Sequence, residues 1–154
     1  MRTVGAAFAG PGHNEQDEID IVESIWSHAA EAEGMELVAI RNGDVIGHVL
    51  GSWGQLAGTS VVGIAPLAVT HAHQRSGVGT ALMTQIIQVG MSCELPFFVL
   101  LGEPAYYQRF GFEPAERFGV WYQPAGRDNP HFMLLPLRAF PGEAQGPYRY
   151  AWEL

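Results

Sequence analysis

Residues 66–83, PLAVTHAHQRSGVGTALM, constrain this chain more than any other stretch, because an apolar strand there runs through a short polar turn straight into a helix. Leu67, Ala68 and Val69 form the apolar run, and Gln74-x-x-Gly77-x-Gly79 opens the helix. Behind the glycines, Val78, Leu82, Ile86 and Val89 recur at helical spacing and give the segment one apolar face. The first N–H groups of such a helix have no intrahelical partners and lie at the positive end of the helix dipole, which suits them to an anion. Gly77 and Gly79 carry no side chain to hold an anionic group off those amides, and Arg75 adds a guanidinium. By itself, Gly-x-Gly also describes a tight helix N-cap. The Lys-Ser/Thr pair of a P-loop is missing, and Leu82 stands where a dinucleotide fingerprint needs its third glycine.

A second informative block, residues 99–112, reads VLLGEPAYYQRFGF. The nearly continuous apolar run over 97–101 has the character of a strand covered on both faces. Gly102-Glu103-Pro104 breaks it, and a short helix over 104–110 follows, with Pro104 in the first turn, where proline is tolerated. Gly111 is a natural stop for that helix.

Elsewhere the apolar pattern predicts a helix over 15–32 with Ile19, Val22, Trp26 and Ala29 on its inner face and Gly34 as its stop. Apolar runs at 35–40 and 45–50 flank Asn42-Gly43, a strong hairpin signal because both turn residues need positive φ. Residues 51–60, rich in Gly and Ser, read as a loop. A strand over 61–69 contains Pro66, which predicts a bulge or an unpaired edge at that point. The helix behind the glycine turn spans 77–89, two later strands fall at 120–122 and 131–137, and the tail over 141–147 reads as irregular. With no repeat or linker, residues 1–154 read as one domain of mixed α/β class, long enough to bury a single core.

Composition removes several function classes. Hydrophobic residues make up 47% and charged residues 16%, the balance of a globular chain. A formal charge of −8 with no basic cluster argues against nucleic acid as a partner. No apolar run approaches the roughly 20 residues that span a bilayer, and the short apolar patch near the N-terminus is at the bottom of the signal-peptide range. Cys93 is alone, so no intrachain disulfide forms, which fits a cytoplasmic protein; it reads as buried packing. The eight basic residues are all arginines, and acidic residues crowd residues 15–36, a solvated helix face or an acidic rim that draws in a cationic amine.

The two blocks together resemble the acyl-CoA site of the GNAT superfamily, acyl-CoA-dependent N-acyltransferases, and LLGEPAYYQRFGF looks closer to its YhbS-like branch. The resemblance implies an α/β fold with a mixed sheet, in which two central strands splay apart and the CoA-binding turn sits at a helix N-terminus. It implies that Gln74, Arg75, Ser76, Gly77, Val78, Gly79 and Thr80 hold the CoA pyrophosphate. Leu67, Ala68 and Val69 would pair with the pantetheine, and an N–H near Val69 would polarise the thioester carbonyl. Tyr107 holds the position of the tyrosine that protonates the departing thiolate, with Tyr106 as a packing aromatic. Where many members carry an asparagine, this chain has Leu100, and backbone near Gly102 takes over that contact. The implied activity is transfer of an acetyl group from acetyl-CoA to an amine on a small molecule or protein, in a ternary complex and without a metal. GNAT domains usually begin with a strand and a first helix, so MRTVGAAF resembles the end of that helix. Either the chain starts late, or the first strand is missing or supplied differently; an exposed sheet edge would then encourage dimerisation, with a monomer or a homodimer both open.

No general base stands out. Glu103 and Glu94 are candidate carboxylates, His48 and His71 candidate imidazoles, and a water chain to solvent would serve as well. His71-x-His73 is also half the spacing of a metal site, which would need His131 or His48 to converge on it. Two other readings compete with a transferase. One is an acyl-CoA-binding sensor or partner protein without turnover; the other, resting on the glycine turn alone, is a nucleotide-phosphate binder.

Overall fold

The computed structural model describes residues 15–28 and 30–151. Helix α1 (Glu15–Ser27) leads into β1 (Glu31–Arg41), β2 (Asp44–Leu56) and β3 (Thr59–Val69). Helix α2 (Val78–Ser92), β4 (Phe97–Leu101) and the short α3 (Pro104–Tyr107) follow, and then β5 (Glu113–Pro114), β6 (Val120–Tyr122), β7 (Phe132–Pro136) and β8 (Gly146–Tyr150). The strands form one mixed sheet in the order β5-β7-β4-β3-β2-β8-β6, with β1 paired on the first part of β2. This is the mixed α/β architecture with splayed central strands that the sequence implied. Among the described residues no helix is long and apolar enough to cross a membrane.

Strand alternation divides the core between the two faces of the sheet. Phe98 and Leu100 turn toward α2, where they meet Val49, Val62, Leu82, Met83 and Ile86. Phe97 and Val99 turn the other way, into a cluster with Leu134, Tyr148 and Tyr150. Leu50 faces that second side too, packed on Val22 and Ile25 of α1. The apolar run is thus covered on both sides over 97–100, as expected, while Leu101 at its end is exposed.

Asn42 (φ +53) and Gly43 (φ +82) close the β1–β2 hairpin between the paired residues Arg41 and Asp44, the turn that Asn-Gly signalled. The loop expected over 51–60 is instead the second half of β2 and another tight hairpin, turned by Ala57 (φ +47) and Gly58 (φ +89). Alanine rarely takes this backbone conformation, so the turn leaves little sequence signal. The glycine that made β2 look like a loop serves packing: a Cβ on Gly54 would stand 2.2 Å from the Tyr148 hydroxyl. Strand β8 (Gly146–Tyr150) was also missed, since it begins inside the stretch over 141–147 that read as irregular.

Helix α1 ends at Ser27 rather than at 32, and Gly34 (φ +77) lies in the β1 irregularity between Glu31 and Glu36, not at a helix stop. Of the inner face expected there, Val22 is buried but Trp26 is exposed; Ile25 takes its place in the core, and the side chains of Ile19 and Ala29 lie outside the described residues. The expected first helix around residues 1–8 also lies outside them.

Gly90 lets α2 settle on the sheet, for a Cβ there would come within 2.4 Å of the Phe98 ring. In Gly90→Ala, helix propensity favours the variant by roughly 0.5–1 kcal/mol. Overpacking against a fully buried ring opposes it by about 1–3 kcal/mol. Collision wins on these magnitudes, so the thermal midpoint should fall by a few degrees; a variant at least as stable as the parent would contradict this packing.

Candidate functional site

The site begins where β3 leaves β4. The two strands pair in parallel at Val62↔Phe98 and Gly63↔Val99, and beyond those positions β3 pairs with β2 alone. The divergence coincides with a bulge. Val49↔Leu67 and Gly51↔Ile64 enclose Leu50 on β2 but both Ala65 and Pro66 on β3, so the proline falls where no ladder hydrogen bond is asked of it. Past the bulge, the Thr70 N–H donates to the Ile46 carbonyl at 2.9 Å. Antiparallel strands alternate bonded and non-bonded pairs, so the backbone groups of Ala68 face β2 while those of Leu67 and Val69 face the gap left by β4. The Gln74 side-chain amide donates to the Val69 carbonyl at 3.2 Å and tethers the turn to the strand end.

This gap is a cavity of about 410 Å³, walled on one side by Leu67, Ala68 and Val69 and on the other by Gly102, Tyr106 and Tyr107. Gln74, Arg75 and Gly79 line its turn end, joined by His73. A neighbouring cavity of about 630 Å³ continues past Gly77 and Thr80 to Arg109. Ser76 and Val78 line neither: the Ser76 hydroxyl turns back to the His73 carbonyl, and Val78 packs half-buried on the α2 side of the core. Arg75 (φ +61) and Gly77 (φ +90) take left-handed conformations at the mouth of α2, and nothing stands within 4 Å of where a Gly77 Cβ would be. The turn thus presents the free N–H groups of the first helical turn to open space.

The far wall is held by aromatic packing against glycine. The Tyr106 and Tyr107 rings meet edge to face at 4.9 Å, and Tyr107 meets Phe112 in the same manner at 5.9 Å. The Tyr106 hydroxyl rests on Gly79, 2.5 Å from where a Cβ would stand, so α3 touches the glycine turn directly. Tyr107 lies flush on Gly102, whose Cβ would come within 2.2 Å of the ring. Both backbone groups of Gly102 bond to His131: its N–H donates to the His131 carbonyl at 2.9 Å, and His131 Nδ1 donates to its carbonyl at 3.2 Å. Gly102 therefore contributes room for Tyr107. The Arg109 guanidinium lies 4.4 Å from the Tyr106 ring centre. Sequence reasoning passed over Arg109 and the second roles of His73, Tyr106 and His131; a basic residue three positions after an aromatic in a helix was the available signal for the first of these.

The candidate bases are dispersed. Glu103 lines both cavities. Glu94 lies just past the far end of α2, roughly 20 Å along the helix from the glycine turn. His71 is exposed on the turn and lines neither cavity. His48 is fully buried, its Nε2 3.0 Å from Glu36 Oε1. Cys93 corrects an expectation: it is exposed at the C-terminal end of α2, not packed in the core, because the helix ends there on the surface. Among the described residues no three His, Cys, Asp or Glu side chains gather as a metal site, and His48 Nε2 and His131 Nδ1 bond to Glu36 and to the Gly102 carbonyl.

Comparison with known proteins agrees with this geometry. The profile of the acetyltransferase (GNAT) family matches residues 6–112. An uncharacterized N-acetyltransferase of Escherichia coli (strain K12), YjhQ, is 33% identical over 143 residues, 87% of this chain and 78% of that protein. Among solved structures, the GNAT family N-acetyltransferase YhbS from Escherichia coli, in complex with CoA, superposes with a TM-score of 0.77 at 29% identity, covering 86% of this chain and 74% of its own. A GNAT family acetyltransferase from Brucella melitensis, in complex with acetyl-CoA, gives the same TM-score of 0.77 at 27% identity, over 99% of this chain and 88% of its own. The chain belongs to the GNAT acetyltransferase family.

Because Tyr107 rests on Gly102, Gly102→Ala should drive the ring out of its place. The variant should lose about 1–3 kcal/mol of stability by overpacking, read as a lowered unfolding midpoint, and its crystal structure should show Tyr107 rotated from Phe112. An undisturbed ring would contradict the packing described.

Proposed function

We propose that this chain is an acyl-CoA N-acyltransferase that moves an acetyl group from acetyl-CoA to an amine by direct attack in a ternary complex. The observation that carries the reading is the row of backbone groups on Leu67 and Val69 that faces the gap, with the open glycine turn at one end and Tyr107 across from it. The relatives solved with CoA and acetyl-CoA support the choice of donor.

The residues fit such a donor along its length. The first N–H groups of α2, at Gly79 and Thr80, and the Arg75 guanidinium receive the diphosphate, where Gly77 leaves space for it. Leu67 and Val69 offer amide partners to the pantetheine as a neighbouring strand would. One of those N–H groups polarises the thioester carbonyl, a contribution of about 3–4 kcal/mol per donor at the transition state. Tyr107 supplies a proton to the departing thiolate. A thiolate with an ordinary pKa near 8.5 needs only a weak acid, and a phenol near 10 suffices.

Thermal unfolding with acetyl-CoA, and with ATP and NAD as controls, tests the reading. Acetyl-CoA at a hundredfold excess over its dissociation constant should stabilise the protein by roughly 2.7 kcal/mol while the controls do nothing. No rise with acetyl-CoA would overturn the proposal. Binding without thiol release across a panel of amines would make the protein a sensor rather than an enzyme. Tyr107→Phe should lower turnover by about 10²-fold or more with little change in acetyl-CoA affinity; an unchanged rate would assign the proton to another acid. Gly77→Glu, which strains a backbone at φ +90 and sets a carboxylate against the diphosphate, should abolish acetyl-CoA binding in a titration, and retained affinity would remove the turn from the site.

A further inference from the structure

We propose that Arg109 binds the 3′-phosphate of coenzyme A, so that the donor site distinguishes CoA from dephospho-CoA; the inference rests on the reading above that the gap and its glycine turn receive an acyl-CoA. The two cavities of the site share Arg75, Gly79, Glu103 and Tyr106, and only the outer one, of about 630 Å³, reaches Arg109. A donor with its pantetheine in the gap and its diphosphate at the glycine turn still has its adenosine to place, and the outer cavity is the continuation. That adenosine carries a phosphomonoester on its 3′ oxygen. The group is close to a dianion at neutral pH, its second pKa being about 6.

Arg109 is held ready for such a group. It lies in the single helical turn Gln108–Phe110 that continues α3. Its Nε–H donates to the Tyr106 carbonyl at 3.2 Å, and its guanidinium carbon sits 4.4 Å from the Tyr106 ring centre and 5.5 Å from that of Phe110. Hydrogen bond and stack together fix the guanidinium plane, although the residue is exposed. Anchored through Nε, Arg109 keeps both terminal nitrogens as donors for a ligand, and no carboxylate among the described residues pairs with it. Arg117, by contrast, is taken up by Glu113 at 2.9 Å. A planar fork held in this way suits a phosphate, which it meets through two parallel N–H···O bonds.

The charge balance of the chain points the same way. At a formal charge of −8 the protein as a whole repels a polyanionic donor, yet two of its eight arginines, Arg75 and Arg109, line one cavity. Arg75 lines the gap as well and Arg109 does not, so the two meet successive parts of one elongated ligand. Glu103 is the acidic residue of the outer cavity. Because it also lines the gap, it lies toward the shared end, roughly 10 Å along the helical segment from Arg109. An anion is therefore attracted to the Arg109 end.

Isothermal titration of the full chain with CoA and with dephospho-CoA tests the assignment, in the parent and in Arg109→Gln. The parent should bind CoA about tenfold more tightly than dephospho-CoA, the scale of charge-assisted hydrogen bonds at a partly solvated site. That difference should shrink as salt is raised. Arg109→Gln should weaken CoA binding by about tenfold and leave dephospho-CoA binding close to the parent's, so that the discrimination disappears. Arg109→Lys keeps the charge but neither the fork nor the stack, and should fall between the two. Retained dephospho-CoA binding also shows that each variant is folded. A parent that binds both ligands equally would overturn the assignment. So would a variant that weakens both to the same degree, the result expected if the guanidinium stacks on adenine or only holds α3 in place. In either case CoA binding by the parent leaves the transferase reading standing. A parent that binds neither ligand would overturn both.

Discussion

Everything that gives this fold a site depends on β3 being held by β2 while it is released by β4. A parallel pair that continued past Gly63 and Val99 would satisfy the Leu67 and Val69 amides internally and leave no gap. The bulge at Ala65 and Pro66 bends the strand where the pairing stops, and regular pairing with β2 resumes at Leu67. The result is unmet backbone hydrogen-bonding capacity inside a protein, which is costly unless water or a ligand meets it. A ligand with amides along its length is the economical answer.

The second constraint is that the two halves of the site are built from distant segments and still meet closely. Glycine makes this possible in two places: Tyr106 rests on Gly79 and Tyr107 on Gly102. Each contact ties the tyrosine helix to one of the motifs flanking the gap, so Tyr107, the proposed acid, and the glycine turn are positioned by packing rather than by flexible arms. Rigid placement of this sort is what a positioned proton donor needs. His131 adds to it by bonding both backbone groups of Gly102, which fixes the floor under Tyr107.

Much of this was legible in the sequence wherever a local rule carried the information. Asn42-Gly43 named its own turn, Pro66 its own bulge, and Gln74-x-x-Gly77-x-Gly79 the mouth of α2. What stayed hidden was set by tertiary contact. Gly54 looked like loop material but makes room for the Tyr148 hydroxyl, and the Ala57-Gly58 turn uses a residue that seldom adopts its conformation. Helix α1 was drawn too long because Ala30 and Ala32, both buried, fit a helix or a strand equally well. In the site, the turn and the tyrosine helix could be read separately. That Tyr106 touches Gly79, that Arg109 stacks on Tyr106, and that His48 lies across from Ala68 depends on packing and strand register, which leave no local pattern.

The central claim is that acyl-CoA completes the sheet along β3, and the strand's own alternation makes it testable residue by residue. Amide hydrogen exchange resolved at Leu67, Ala68 and Val69, with and without acetyl-CoA, is the most direct measurement. The Ala68 N–H already faces β2, so it should be slow in both states, while the Leu67 and Val69 amides should be fast alone and become protected when acetyl-CoA is added. Saturating acetyl-CoA that leaves Leu67 and Val69 as exposed as before would contradict the account.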